Sequence, residues 1–217
     1  MKKIAIVILF SLLFWSCNNS SSKSSIERTD EELQLLQKIT NADFKAFVET
    51  FAFGKFPWDV SETPLFTEGE VPANFHEVSL EGIKKFVNPD ATESKGYYTG
   101  YAIFEKEYIA IIYFYGYSNM FGGDNYHTSA DLLTFSFNGT FIGKITLGEV
   151  NTFVNSNAQR ESQKLEGSIY SDKTTTIKIN NYLEDNPNGS GSSLKFLIKP
   201  NGEIEQTTTN TLENNSE

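Results

Sequence analysis

Two periods divide the chain. Between residues 29 and 88 apolar side chains recur at helical spacing, and from Tyr97 onward they alternate with polar ones. Thr29-Asp30-Glu31-Glu32 has the form of a capping box, with the Thr29 hydroxyl able to accept from the backbone at Glu32 and Glu32 able to reach back. Leu33, Leu36 and Ile39 follow as the apolar stripe of a first helix. Thr40-Asn41-Ala42-Asp43 marks a second start, after which Phe44, Phe47, Val48 and Phe51 share one face, and Gly54 and Pro57 stop the run. A short third helix is expected from Ser79 through Ile83 and Phe86 to Pro89.

The alternating half predicts strands near 97–105, 108–117, 131–137, 140–147, 164–171, 174–180, 193–199 and 202–208. Asn138-Gly139 and Asn201-Gly202 supply the positive backbone angles that tight hairpins require. Around them Leu133-Phe135-Phe137 and Leu194-Phe196-Ile198 alternate with polar residues, as strands with one buried face do. The run from Tyr108 to Tyr117 leaves neither face polar, so it is expected at the centre of the sheet, covered on both sides. The fold class expected is α+β, with N-terminal helices packed on a large antiparallel β-meander of about eight strands.

The ends follow other rules. Met1-Lys2-Lys3 precedes an apolar run from Ile4 to Phe14, which is too short for a bilayer span of roughly twenty residues. A charged start, a short apolar run and a small residue before Cys17 form an export signal. Residues 18–25 are polar throughout and cannot offset their own ordering entropy. The organisation expected is a signal peptide over 1–16, an acylated Cys17 with a flexible tether to residue 27, one α+β domain over 28–208 and a disordered tail over 209–217. As a coil the tether would hold the domain roughly 15 to 20 Å from a lipid surface.

With the leader removed, the 18 basic residues fall to 16 against 28 acidic ones, a formal charge of −12. That excludes a nucleic-acid partner and steers basic ones inward. Cys17 is the only cysteine, so the domain has no disulfide and rests on its apolar core.

Chemistry-bearing residues are few. Eight of the ten tyrosines lie between residues 97 and 126, and Tyr113, Tyr115, Tyr117 and Tyr126 could form a row suited to a glycan or protein partner, or else sit in a core whose rings reach its margin. Which tyrosines share a face depends on the turn near Lys106. The segment from Ser118 to Ala130 is expected to be the longest loop of the strand region, carrying Asp124, Tyr126 and His127. Asp124, His127 and Asp131 could meet as an acid/base pair or around a metal, but His76 is the only other histidine, which rules out a His-rich metal site, and a solvated loop is the plainer reading. The oxygen-rich run Asp185–Gly191 lacks the closing carboxylate of a calcium loop and reads as a hairpin connection. Trp58 is expected to pack where the helices meet the sheet, or to anchor a partner if exposed. No phosphate loop, nucleophile elbow or zinc signature is present, so no catalytic residue, metal or cofactor is assigned.

The leader ending in Ser16-Cys17, the Phe-rich helix running into Phe56-Pro57-Trp58 and the aromatic strands with Asn-Gly hairpins resemble the small lipoproteins of the Bacteroidota cell envelope. Phe14 and Trp15 depart from the strict lipobox and match its looser Bacteroidota form. The resemblance implies diacylglycerol on Cys17, cleavage before it and membrane attachment through lipid, each buried methylene contributing about 0.8 kcal/mol. It also implies an outer-membrane location facing the periplasm, since Asn18–Ser22 lacks the acidic run of surface-exported relatives. Three functions follow as expectations: a non-catalytic envelope protein that binds a protein or glycan partner, an acidic inhibitor or immunity-type lipoprotein aimed at a basic enzyme, and a hydrolase using the 118–130 loop.

Overall fold

The computed structural model describes residues 27–60, 76–118, 126–154, 160–183 and 191–212. The leader, Cys17, the tether as far as residue 26, Asp124 and the run 184–190 lie outside the described residues. No helix among the described residues is long and apolar enough to cross a membrane.

Among the described residues three short helices precede the long strands: α1 (Asp30–Gln37), α2 (Ala42–Val48) and α3 (Leu80–Phe86). Each begins where a side-chain oxygen can accept from the first free backbone N–H groups. At α1 the capping box is complete, with Glu32 N donating to Thr29 Oγ1 at 3.3 Å and Thr29 N to Glu32 Oε2 at 2.8 Å. Asn41 Oδ1 accepts from Asp43 and Phe44 at α2, and Ser79 Oγ from Gly82 at α3. The stripe of α1 differs from expectation: Leu36 and Ile39 are buried while Leu33 is exposed. Helix α2 ends at Val48, before Gly54, and the carbonyls at and just beyond its end have other donors. Thr50 Oγ1 donates to Phe47 O, and Arg28 Nη2 donates to Glu49 O and Phe51 O at 2.9 and 2.7 Å.

One open, mostly antiparallel sheet of ten strands makes up the rest: β1 (Ala52–Phe53), β2 (Trp58–Asp59), β3 (Gly96–Phe104), β4 (Ile109–Ser118), β5 (Tyr126–Phe135), β6 (Phe141–Val154), β7 (Arg160–Ile169), β8 (Thr174–Leu183), β9 (Gly191–Ile198) and β10 (Ile204–Leu212). The order β1-β3-β4-β5-β6-β7-β8-β9-β10 is a meander from β3 on, with β1 added parallel to β3 and β2 paired to β7. The chain is α+β as expected, but strand-dominated, with two strands more than the sequence predicted. Those two are the dipeptides β1 and β2, too short to show any period.

The sheet curls back on itself, so β4 has cover on both faces. Ile109, Ile111 and Tyr113 join the helical residues Phe44, Phe47, Val48 and Ile83 in a first core. Ala110, Ile112 and Phe114 face a second core completed by Ile169, Ile177 and Ile198 from the distal strands. The tip of the β9–β10 hairpin lies over Tyr108, and Thr134 Oγ1 donates to Gly202 O at 2.7 Å. A bulge at Gly100, where a Cβ would stand 2.4 Å from Ile112 O, shifts the register so that Tyr98 and Tyr101 both reach the second core.

Three hairpins share one turn. Ser136–Thr140, Tyr170–Thr174 and Lys199–Glu203 make the same pair of backbone hydrogen bonds, and the fourth residue of each has positive φ. Two of these are the expected glycines, Gly139 at 86° and Gly202 at 88°. The third is Lys173 at 69°, a conformation that costs an L-residue about 1 to 2 kcal/mol.

Several boundaries move. The expected 118–130 loop is shorter, because Tyr126–Ala130 belongs to β5 and pairs with both β4 and β6. Strand β10 continues to Leu212, past the expected start of the tail at residue 209. Trp58 packs in the second core, 6.2 Å from Phe114 ring to ring, on the opposite side of the sheet from the helices.

Candidate functional site

On the helix-facing side of β3 to β6, beyond the reach of α2, the sheet carries a polar and aromatic cluster. Asp131 stands at its centre, its side chain entirely shielded. Its carboxylate accepts from Tyr113 OH at 2.9 Å and Thr146 Oγ1 at 2.8 Å, and pairs with Lys144 Nζ at 2.6 Å. Cross-strand pairing produces this directly: Tyr113 is opposite Asp131 on β4, and Thr146 is opposite it on β6. Lys144 reaches in from partial exposure, its aliphatic stem along the sheet.

A second group adjoins it. Tyr115 stacks on Tyr113 with centroids 5.7 Å apart and lies 5.6 Å from the His127 ring. Lys95 Nζ sits 5.1 Å above the Tyr115 ring, and His127 Nδ1 lies 3.5 Å from Glu149 Oε1. Burial pushes the Tyr113 phenol far above its ordinary value, and Asp131 beside it adds to the shift. Burial also pushes Tyr115 up to about 12. For His127 burial dominates over the attraction of Glu149 and lowers the pKa, so the imidazole is neutral at pH 7.

The tyrosine-rich stretch therefore does not form one exposed row. Tyr97, Tyr108 and Tyr113 are buried, and Tyr115 is half-buried. Tyr117 and Tyr126 lie on strands β4 and β5, with Tyr117 paired to His127 and Tyr126 to Ser118. The structure brings Tyr113, Tyr115, His127 and Asp131 together on paired strands; Trp58 lies in the other core. Asp124 is outside the described residues, and among them no group of three or more His, Cys, Asp or Glu side chains could hold a metal.

A different feature offers space. A cleft of about 650 Å³ opens between α1 and the β1–β3 edge. Thr29, Glu31, Glu32 and Leu35 form one wall, residues 53–56 another, and Ile103, Phe104, Glu105 and Lys173 the rest. The Phe53 and Phe104 rings lie 4.7 Å apart on its floor. Lys173 Nζ pairs with Glu105 Oε1 and lies 4.4 Å above the Phe56 ring. Arg28 Cζ is 4.1 Å above Phe53 and fastens this corner to the end of α2. None of these residues carried a chemical signature in the sequence, because the cleft joins four segments far apart along the chain. Only Lys173 gave a signal that could be read afterwards: it occupies the turn position that glycine fills in the two sister hairpins.

No protein-family model, no curated protein and no solved structure matches the chain.

Proposed function

We propose that this is a lipid-anchored, non-catalytic protein of the cell envelope that binds a polypeptide partner, and that the cleft beside α1 is where it binds. The observation that carries the binding half is the cleft itself: about 650 Å³, an aromatic floor and a rim charged with both signs. Such a volume is in the range of small-ligand sites, and this lining suits an amphipathic ligand. A glycan site would favour tyrosine or tryptophan faces with neutral hydrogen-bonding groups, whereas the rings here are phenylalanines and the rim is ionic. The anchoring half rests on the leader, the single Cys17 and the polar tether. Thr29, a lining residue, stands only a few positions beyond that tether, so a lipid on Cys17 would keep the cleft near the membrane surface.

The cluster around Asp131 supports the non-catalytic reading. The carboxylate already serves three donors and is committed to holding the paired strands together. Detergent partitioning and intact mass of the parent against Cys17→Ala test the anchor. The parent should enter the detergent phase with the mass of added acyl chains, and the variant should not. Chains that differ only by the mass of the exchanged side chain would sink the proposal.

A further inference from the structure

The charges around the cleft are unevenly committed. Glu32 is spent on the capping box and Glu105 on Lys173. Glu31, on the α1 wall, and Lys55, on the opposite wall, have no hydrogen-bond or ion-pair partner among the described residues. One solvent-exposed carboxylate and one solvent-exposed ammonium thus line the same cleft as Phe53 and Phe104.

Lys173 is an independent second observation. Its turn has the hydrogen bonds of two sister turns that use glycine, yet here a lysine is held at φ 69°. Backbone strain of this kind persists only where the surrounding structure holds it in place. What Lys173 places is an ammonium on Glu105 and against Phe56, which fixes one wall of the cleft.

We propose that the cleft binds a short peptide with both ends free, its ammonium on Glu31, its carboxylate on Lys55 and its apolar side chains on the Phe53 and Phe104 rings. The inference rests on the cleft being the binding site, as read above, and adds the ligand class. A zwitterion satisfies both unpaired groups at once, whereas a purely cationic or anionic ligand would leave one of them repelled. Charge-assisted contacts of this type set orientation, and the rings supply the apolar burial.

Calorimetric titration of the whole mature chain in detergent micelles tests it, with four probes: the tripeptide Ala-Leu-Phe, its N-acetyl form, its C-terminal amide, and chitotriose as a neutral sugar. The free tripeptide should bind one to one, and each blocking group should weaken it about two- to fivefold, the scale of one ionic contact to an exposed side chain. Glu31→Gln should erase the difference that acetylation makes, and Lys55→Met the difference that amidation makes. Lys173→Gly should weaken binding while leaving the melting temperature unchanged or higher, a result that a purely structural lysine would not give. Equal binding of blocked and free peptides overturns the proposal. Binding of chitotriose alone, lost in Glu31→Gln or Lys55→Met, also overturns it while leaving the cleft as the site. If no probe binds at about 1 mM, the ligand class is wrong; if chitotriose or the tripeptide binds with equal strength to the parent, Glu31→Gln and Lys55→Met, the cleft is not the site.

Discussion

Removing the Asp131 carboxylate should be among the costliest single changes in the described domain. Its side chain is fully shielded, and Tyr113, whose hydroxyl it accepts, is only 2 % exposed. In Asp131→Ala the Tyr113 hydroxyl would be stranded without water or acceptor, a penalty of about 1 to 3 kcal/mol. Thr146 would lose its acceptor too, although Lys144 is exposed enough to turn toward solvent. The loss expected in urea unfolding is therefore about 2 to 4 kcal/mol, set by the stranded Tyr113 and Thr146 hydroxyls and not by an unpaired buried charge, with the m-value unchanged. Tyr113→Phe removes one donor and leaves the carboxylate two, so it should cost less, about 1.5 to 3 kcal/mol. The diagnostic result is the cycle between them. In the Asp131→Ala background Tyr113→Phe should cost nothing or restore stability, because the hydroxyl it removes has become a liability. An Asp131→Ala loss below about 1 kcal/mol, or a Tyr113→Phe cost that is the same in both backgrounds, would refute the reasoning.

Three further outcomes are expected. The pH profile of stability should fall at both ends. The buried phenols of Tyr113 and Tyr115 contribute stability that is complete below the ordinary 10.0 and lost as pH rises above it, through about 12 for Tyr115; neutral His127 contributes stability complete above 6.5 and lost as pH falls below it. Midpoints of Tyr113→Phe and His127→Gln measured against pH check this, and a variant that tracks the parent in its own window rejects that residue's share. Gly139→Ala should cost more than the roughly 1 to 2 kcal/mol of its positive φ, because the added Cβ would also stand 2.8 Å from Phe44; thermal melting that is unchanged would contradict this. Arg28→Ala should lower stability by about 1 to 3 kcal/mol through the carbonyls of Glu49 and Phe51 left without their donor, and Arg28→Lys should recover only part, since an ammonium can donate to both carbonyls but lacks the flat guanidinium that covers Phe53; full rescue by lysine would count against the geometry.

Much of the scaffold was legible in the sequence because its signals are local. Thr29, Asn41 and Ser79 announce their helices through caps that act within three residues. Gly139 and Gly202 announce their hairpins through a backbone angle that few other residues accept. The two-sided apolar run of β4 announced a central strand, and both cores do cover it. Where the signal depended on partners, the reading fell short. Residues 126–130 looked like a loop because Ser129 and His127 face a polar cluster, so the strand had no apolar alternation to show. For the tyrosines the sequence left a surface row and a core both open, and the bulge at Gly100 and the curl of the sheet decided which went inward.

By itself, then, the sequence determined the helical start, the meander that follows, the expectation of an anchored envelope protein and the absence of any signature for catalysis. Tertiary structure decided that the sheet folds over to build a second core, that Asp131 is buried with three partners, and that Glu31, Lys55, Phe104 and Lys173 meet around one cleft. The physical reason is range. Caps and turns are fixed by neighbours in the chain, whereas a cleft is fixed by the relative placement of segments more than a hundred residues apart, which no local pattern encodes.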